Sequence, residues 1–135
     1  MPERRFRRDF TSLDAIFAFV REFLKTHGWI ERHAPSLELI AEELFTNLVK
    51  YNRDGTEDIA IQLEWHPPEV ILTLRDFGVE AWDLTRVPPV DTTVPVEKRR
   101  AGGLGLHLVR QIADRIDYAY ENRNSTITVT KRLEP

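Results

Sequence analysis

The chain of 135 residues contains no cysteine, and this absence excludes several classes of protein. Without cysteine there is no disulfide framework, no thiolate zinc site and no cysteine nucleophile. No apolar run approaches the roughly 20 residues of a membrane span, and the apolar core of a signal peptide is also missing. The sequence therefore predicts a cytoplasmic protein that does not contact a membrane.

A strong charge of one sign is missing as well, since the net charge is −3 and 30% of the residues are charged. This mildly acidic balance argues against direct nucleic-acid binding. The local exception is Arg4 to Arg8, "RRFRR", which we interpret as a charged strand at a sheet edge. The histidines are scattered, match no HExxH spacing, and are interpreted as surface or half-buried residues rather than metal ligands: His27, His33, His66 and His107.

Three stretches have the apolar spacing of amphipathic helices. Thr11 and Asp14 form a T-x-x-D capping box that predicts the start of the first helix, and Gly28 predicts its end. The second helix is predicted to begin near Ser36. The third follows a glycine-rich turn, and its inward-facing residues are predicted to be Leu104, Leu108, Ile112 and Ile116.

Alternation of apolar and polar residues predicts two hairpins, one built from "IAIQLEW" and "VILTLRD" and one from "YAYENRNSTITVTK". Between them, residues 78–102 lack periodicity, and so long a loop is usually functional, such as a lid. Strands that neighbour in sequence, with few helical crossovers, predict an α+β fold. We expect a single domain over residues 1–135, with a mixed, mostly antiparallel sheet and helices on one face.

Three pieces of the sequence suggest chemistry. Glu43 and Asn47 lie at i and i+4 of the second helix, so their side chains meet on one face. Asp76 ends a strand just before Gly78, and "GGLGL" (Gly102–Leu106) leads into the third helix, where backbone N–H groups can approach an anion. Each piece alone has an ordinary structural explanation, namely a solvated helix face, an Asx turn and a tight turn.

Taken in order, "EELFTNLVKY", "LRDFG", "GGLGLHLVRQIAD" and "STITVTK" resemble the nucleotide-binding domain of the GHKL superfamily, which includes gyrase-type ATPases, histidine kinases and MutL. Within it the chain most resembles the stand-alone bacterial anti-sigma factor serine kinases of the RsbW and SpoIIAB type. The similarity covers nearly the whole chain. It implies a two-layer α/β sandwich of the GHKL ATPase type, with an ATP lid over about residues 78–102.

The resemblance also implies roles for individual residues. Glu43 matches the catalytic carboxylate that takes a proton from the attacking serine, Asn47 matches the Mg²⁺ ligand, and Asp76 matches the acceptor of the adenine amino group. The other nucleotide-binding residues that it implies are Lys50, Tyr51, Gly78, Gly102, Gly103, Leu104, Gly105, Leu106 and Thr126. Arg99 and Arg100 are placed near the γ-phosphate, although a solvated lid face explains them equally well.

The activity implied by the resemblance is that of an ATP-dependent serine protein kinase and anti-sigma factor with ATP and Mg²⁺ as cofactors. Its partners would be a sigma factor and a STAS-domain anti-anti-sigma protein, and the kinase would be a homodimer. The alternative is a non-catalytic, ATP-responsive binding module that switches partners. The chain departs from the family pattern at "DFGVEA" (Asp76–Ala81), where many relatives read D-x-G-x-G.

Overall fold

A computed structural model describes residues 3–28, 30–84 and 103–133. The described strands form one five-stranded sheet in the order β1-β2-β3-β5-β4, and every pairing in it is antiparallel. In chain order the elements are β1 (Glu3–Phe6), α1 (Leu13–Thr26), α2 (Ile30–Tyr51), β2 (Ile59–His66), β3 (Glu69–Phe77), α3 (Gly103–Ile112), β4 (Arg115–Glu121) and β5 (Asn124–Arg132). None of the helices described combines the length and the apolar character that crossing a membrane requires.

The core lies between the helices and one face of the sheet. Leu72 and Leu74 of β3 pair with Val129 and Ile127 of β5, and all four side chains are buried. Because side chains alternate along a strand, these residues lie on one face, and the intervening residues lie on the other. The helices supply the second layer with a further set of fully buried side chains: Ile16, Val20, Leu24, Leu37, Ile40, Leu44 and Leu48. The predicted α+β fold with helices on one face is confirmed.

The start of α1 differs from the prediction. Asp9 accepts a hydrogen bond of 2.8 Å from the backbone N–H of Thr11, and this bond holds the pKa of Asp9 below its ordinary value. A short 3₁₀ turn, Phe10–Ser12, then leads into α1, and Ser12 makes no side-chain capping bond. The predicted Thr11/Asp14 capping box is therefore wrong. Gly28 does end α1 as predicted, with a φ of 77° and a 3.1 Å bond from its N–H to Lys25 O.

The second helix begins earlier than predicted, at Ile30, and contains Pro35. The sequence argument placed the start near Ser36 because proline removes a backbone donor and ordinarily interrupts a helix. Ala34 and Leu37, on either side of Pro35, are both buried in the core. Their packing offsets the lost hydrogen bond, so the helix continues through the proline.

The third helix ends earlier than predicted, because Ile116 belongs to β4. The backbone leaves the helix at Ala113, and the N–H of Asp114 already donates to Thr130 O of β5. The buried residues of α3 are Leu106 and Val109, whereas Leu108 is only half-buried. The predicted inward face was therefore wrong at Leu108, whereas Ile112 packs against the core as predicted and Ile116 does so from β4 rather than from the helix. The side chain of Leu104 lies outside the described part of the chain.

The closing hairpin turns through Asn122 and Arg123, both with positive φ (51° and 61°). Two such residues between paired strands are typical of a type I′ turn. The carbonyl of Arg123 accepts a 2.9 Å bond from the N–H of Val79, just beyond β3. This bond ties the chain that follows Asp76 to the end of the neighbouring hairpin.

Candidate functional site

Asp76, near the end of β3, is the centre of a buried polar cluster. Its side chain is 0% exposed. Asn52, which follows α2, donates a 2.8 Å hydrogen bond from Nδ2 to Oδ2, and Arg8 pairs through Nη2 with Oδ1. Burial raises the pKa of Asp76, while the bond from Asn52 and the charge of Arg8 act in the opposite direction. The carboxylate that the sequence placed at a strand end is therefore held on both oxygens, by residues distant in sequence.

Ser125 of β5, rather than Thr126, lies beside Asp76. Asp76 pairs with Ser125, and Thr126 pairs with Arg75, so alternation places Thr126 on the opposite face of the sheet. Ser125 is buried, and its Oγ lies 3.3 Å from the hydroxyl of Tyr118. The expectation that Thr126 contributes at this position is not met by the strand register. The alternating sequence indicated two faces but not which of them carries Asp76, and a shift of one residue exchanges them.

Asn47 carries a buried acceptor that no other described residue satisfies. Its side chain is 2% exposed, and its Nδ2 donates to the backbone carbonyl of Glu43 one turn earlier. Its Oδ1 is buried and has no hydrogen-bond partner among the described residues. Buried side-chain acceptors are normally satisfied, so an orphan of this kind requires an explanation, such as a ligand or an ion.

Glu43 faces the first turn of α3. A Cβ built on Gly105 would lie 1.8 Å from Oε2 of Glu43, so residue 105 has no room for a side chain while Glu43 keeps this position. Burial raises the pKa of the half-buried Glu43 above its ordinary value, the charge of Glu42 adds to this effect, and the charge of Lys50 opposes it. The predicted pairing of Glu43 with Asn47 is made through the backbone carbonyl of Glu43. The carboxyl group of Glu43 therefore lies against the first turn of α3.

The end of α2 carries the next two predicted residues. Tyr51 is 40% exposed and stacks on Trp82, with ring centroids 4.9 Å apart and planes at 24°. Lys50 beside it is exposed. The backbone at Trp82 is held in turn, because its backbone N–H donates a 3.1 Å hydrogen bond to the hydroxyl of Tyr118. The aromatic pair therefore lies at the C-terminal end of α2. Asn52, which bonds to Asp76, follows the same end of the helix.

The glycines at the two ends of the predicted lid have separate roles. Gly78 has a φ of 65°, a left-handed conformation that favours glycine. Gly103 is the first residue of α3, and Leu106 in the same turn anchors it in the core. In the described beginning of the predicted lid, residues 78–84, Val79 and Leu84 are buried. The predicted positions at Gly102, Arg99 and Arg100 lie outside the described residues.

This architecture and site define a class of protein. Residues 6–131 match the family described as the histidine kinase-like ATPase domain, and the chain belongs to that family. The match spans every described helix and nearly the whole sheet, including Glu43, Asn47 and Asp76. The resemblance to the GHKL superfamily is thereby confirmed.

Two similar proteins carry the name serine-protein kinase RsbW. The one from Listeria innocua is 34% identical over 97 residues, an alignment that covers 67% of this chain and 61% of that protein. The one from Halalkalibacterium halodurans is 25% identical over 111 residues, covering 79% of this chain and 67% of that protein. The chain thus spans about three fifths of the first relative and two thirds of the second.

Two solved structures share the fold at low sequence identity. A structure of the RsbU and RsbW domains of a Mycobacterium tuberculosis protein superposes with a TM-score of 0.64 at 16% identity, covering 100% of this chain and 34% of that one. The histidine kinase AdeS of Acinetobacter baumannii superposes with a TM-score of 0.57 at 15% identity, covering 100% of this chain and 69% of that one. At these identities the similarity establishes the fold alone.

Proposed function

We propose that the chain is an ATP-dependent serine protein kinase and anti-sigma factor. It would bind a sigma factor, and it would phosphorylate a serine on a STAS-domain anti-anti-sigma protein, acting as a homodimer in the cytoplasm. The observation that carries this proposal is the buried Oδ1 of Asn47, which has no hydrogen-bond partner among the described residues and lies one helical turn from Glu43, whose carboxyl group lies against the entry of α3. The names of the two similar RsbW proteins support the same activity.

Asn47 is suited to holding Mg²⁺ with a bound nucleotide. A neutral amide oxygen is a hard ligand of the kind that Mg²⁺ prefers, and this ion usually keeps several waters. The described residues contain no group of three or more His, Asp or Glu side chains arranged to hold a metal ion. A magnesium ion at Asn47 would therefore take its remaining ligands from phosphate oxygens and water. When bound, it would neutralise phosphate charge.

The other residues contact the adenine base, the phosphates or the serine proton. The buried carboxylate of Asp76 accepts a hydrogen bond from the adenine amino group, and Tyr51 borders the base or ribose. Backbone N–H groups at the start of α3, from Gly103 onwards, face the phosphates, as helix N-termini commonly do. Glu43 accepts the serine proton, and a pKa raised by burial suits a general base. Phosphoryl transfer requires chiefly such positioning and charge neutralisation.

The deciding experiment is incubation of the protein with Mg-ATP and a candidate STAS-domain protein, followed by mass spectrometry of that partner. We expect one added phosphoryl group on a serine. A partner that binds in an ATP-dependent way and gains no phosphoryl group would contradict the kinase and favour the non-catalytic binding module.

Replacing Asn47 with alanine should abolish the magnesium dependence of ATP binding. The wild-type protein should bind ATP more tightly with Mg²⁺ than with a chelator, and Asn47→Ala should bind with the same lower affinity in both conditions. Isothermal titration calorimetry measures the two affinities. Thr46→Ala is the matched control, since Thr46 also donates to the Glu43 carbonyl, at 3.3 Å, and should keep the full magnesium effect. A magnesium effect that survives in Asn47→Ala would remove Asn47 as the metal ligand.

Replacing Gly105 with alanine should separate activity from stability. The new Cβ would occupy the position of the Glu43 carboxyl group and displace that flexible side chain. A catalytic group misplaced by about 1 Å can lose roughly 10²-fold in rate. The free energy of unfolding should stay equal or rise by up to about 1 kcal/mol, because alanine favours a helix more than glycine does.

The control for Gly105→Ala is Gln111→Ala, an exposed position on the same helix that should change neither quantity. Phosphorylation assays and urea denaturation measure the two effects. A Gly105→Ala variant with full activity would show that the close approach of Glu43 to α3 has no role in the reaction.

A further inference from the structure

Arg8 is a mostly buried cation, and the described residues use only part of its hydrogen-bonding capacity. It follows the edge strand β1, and its side chain is 13% exposed, whereas the strand residues Arg4 and Arg5 are exposed as predicted for a sheet edge. Only Nη2 is paired, with Asp76, while Nε and Nη1 are buried and have no partner among the described residues. The basic cluster near the N-terminus is therefore not wholly a solvated surface.

The chain makes room for this guanidinium. A Cβ built on Gly55 would lie 2.1 Å from Nη2 and 2.4 Å from the central carbon of Arg8, so a side chain at residue 55 would displace the group from its place beside Asp76. A guanidinium presents its N–H donors in a planar fork, and a buried donor without a partner is costly. Arg8 therefore holds two donor nitrogens, Nε and Nη1, next to the carboxylate that is expected to receive a nucleobase.

We propose that Arg8 is a specificity-determining residue. It donates a hydrogen bond to a ring nitrogen of adenine, while Asp76 accepts a hydrogen bond from the adenine amino group. This inference rests on the proposed ATP binding at Asp76. In adenine the exocyclic amino group is flanked by N1 and N7, and both are acceptors. A donor beside the carboxylate therefore meets an acceptor beside the amino group, whichever flank of the base is turned toward Arg8.

The same pair of side chains discriminates against guanine in this pose. Guanine carries a carbonyl oxygen where adenine carries the amino group, so two acceptors would face each other at Asp76. Guanine can form hydrogen bonds with both side chains only if the base shifts along its edge. Its carbonyl oxygen would then accept from Arg8, and its N1–H would donate to Asp76. A site built for that shifted pose would prefer GTP, and this difference can be measured.

The test is a comparison of ATP with its 1-deaza and 7-deaza analogues, in which one ring nitrogen is replaced by a C–H group. In the wild-type protein, calorimetry should show one of the two analogues binding about 10- to 100-fold more weakly than ATP, the loss expected for a hydrogen bond from a charged donor. In Arg8→Met that analogue and ATP should bind with the same affinity. Because the readout is a ratio within one protein, a general loss of affinity cancels.

Two further variants make the result decisive. Arg8→Lys retains a positive charge for Asp76 without the forked donors, so it should fold if Arg8→Met does not, and it should also lose the discrimination. The matched control Arg7→Met changes an exposed neighbour and should bind all three nucleotides as the wild type does.

Each remaining outcome has a definite meaning. Equal binding of ATP and both analogues by the wild type, tighter binding of GTP than of ATP, or discrimination that persists without Arg8 would each overturn the assignment of Arg8. An Arg8→Met variant that binds ATP more tightly would show that Arg8 blocks Asp76 instead. If the wild type binds no ATP at all, the proposed function itself fails, which is a different result from binding without discrimination.

Discussion

Replacing Glu43 with alanine is expected to lower the rate of serine phosphorylation about 10²- to 10⁴-fold, the usual effect of removing a positioned general base. As the proposed base, Glu43 would act on the serine proton in the transition state and would contribute little to holding ATP beforehand. The affinities for Mg-ATP and for the partner protein should therefore stay close to those of the wild type. Single-turnover phosphorylation measures the rate, and calorimetry measures the two affinities.

Glu42→Ala is the matched control, because it removes a half-buried carboxylate one position away on the same helix. It should keep most of the rate, since the three atoms nearest to a Cβ at residue 105 all belong to Glu43. If the wild type phosphorylates its partner and Glu43→Ala does so equally fast, the assignment of Glu43 as the base is wrong. A protein that only binds its partner would transfer no phosphoryl group even before mutation.

Replacing Asp76 with asparagine is expected to destabilise the fold by about 3–5 kcal/mol, because it leaves the charge of Arg8 buried without its partner. ATP binding should weaken as well, since an amide can present a donor to the adenine amino group. Urea denaturation measures the free energy of unfolding, and calorimetry measures the ATP affinity under conditions where the variant remains folded.

The control for Asp76→Asn is Asp117→Asn, which breaks an ion pair with Arg115 whose side chains are 48% and 72% exposed. An exposed pair of this kind contributes at most about 1 kcal/mol, so this variant should be nearly as stable as the wild type. The double variant Arg8→Met/Asp76→Asn should regain part of the lost stability, because the unpaired charge is gone. An unchanged ATP affinity in Asp76→Asn would remove Asp76 from the nucleotide pocket.

Much of the candidate site could be predicted because its first residues depend on local geometry. Glu43 and Asn47 are one helical turn apart on any helix, and Asp76 had to fall near a strand end once "VILTLRD" was identified as a strand. The tight approach of Gly105 to Glu43 could not be predicted, since it depends on how α3 packs on α2. A glycine-rich helix entry looks the same in a sequence whether or not a carboxyl group lies against it.

The errors in the fold have two physical origins, a local one at the start of α1 and a tertiary one elsewhere. The predicted capping box failed for a local reason, since the exposed Asp9 accepts the bond from the N–H of Thr11 and a 3₁₀ turn precedes α1. The predicted start near Ser36 followed a local preference of proline, and the packing of the residues on either side of Pro35 in the core prevailed over it. At Ile116, a helical apolar spacing continued into residues that instead pair with β5. Local propensities amount to fractions of a kcal/mol per residue for most residue types, so core packing and strand pairing readily outweigh them.

The sequence by itself determined the class of fold, the positions of Glu43 and Asn47 on one helix, and the presence of an aspartate at the end of a core strand, because these features follow from periodicity within short segments. Only the tertiary structure decided what surrounds that aspartate. Arg8 reaches it across 68 positions of the chain and Asn52 across 24, while the strand register places Ser125 beside it instead of Thr126. Contacts between segments so far apart depend on how the layers pack and on the alignment of β5 with β3, and no local pattern of residues encodes either.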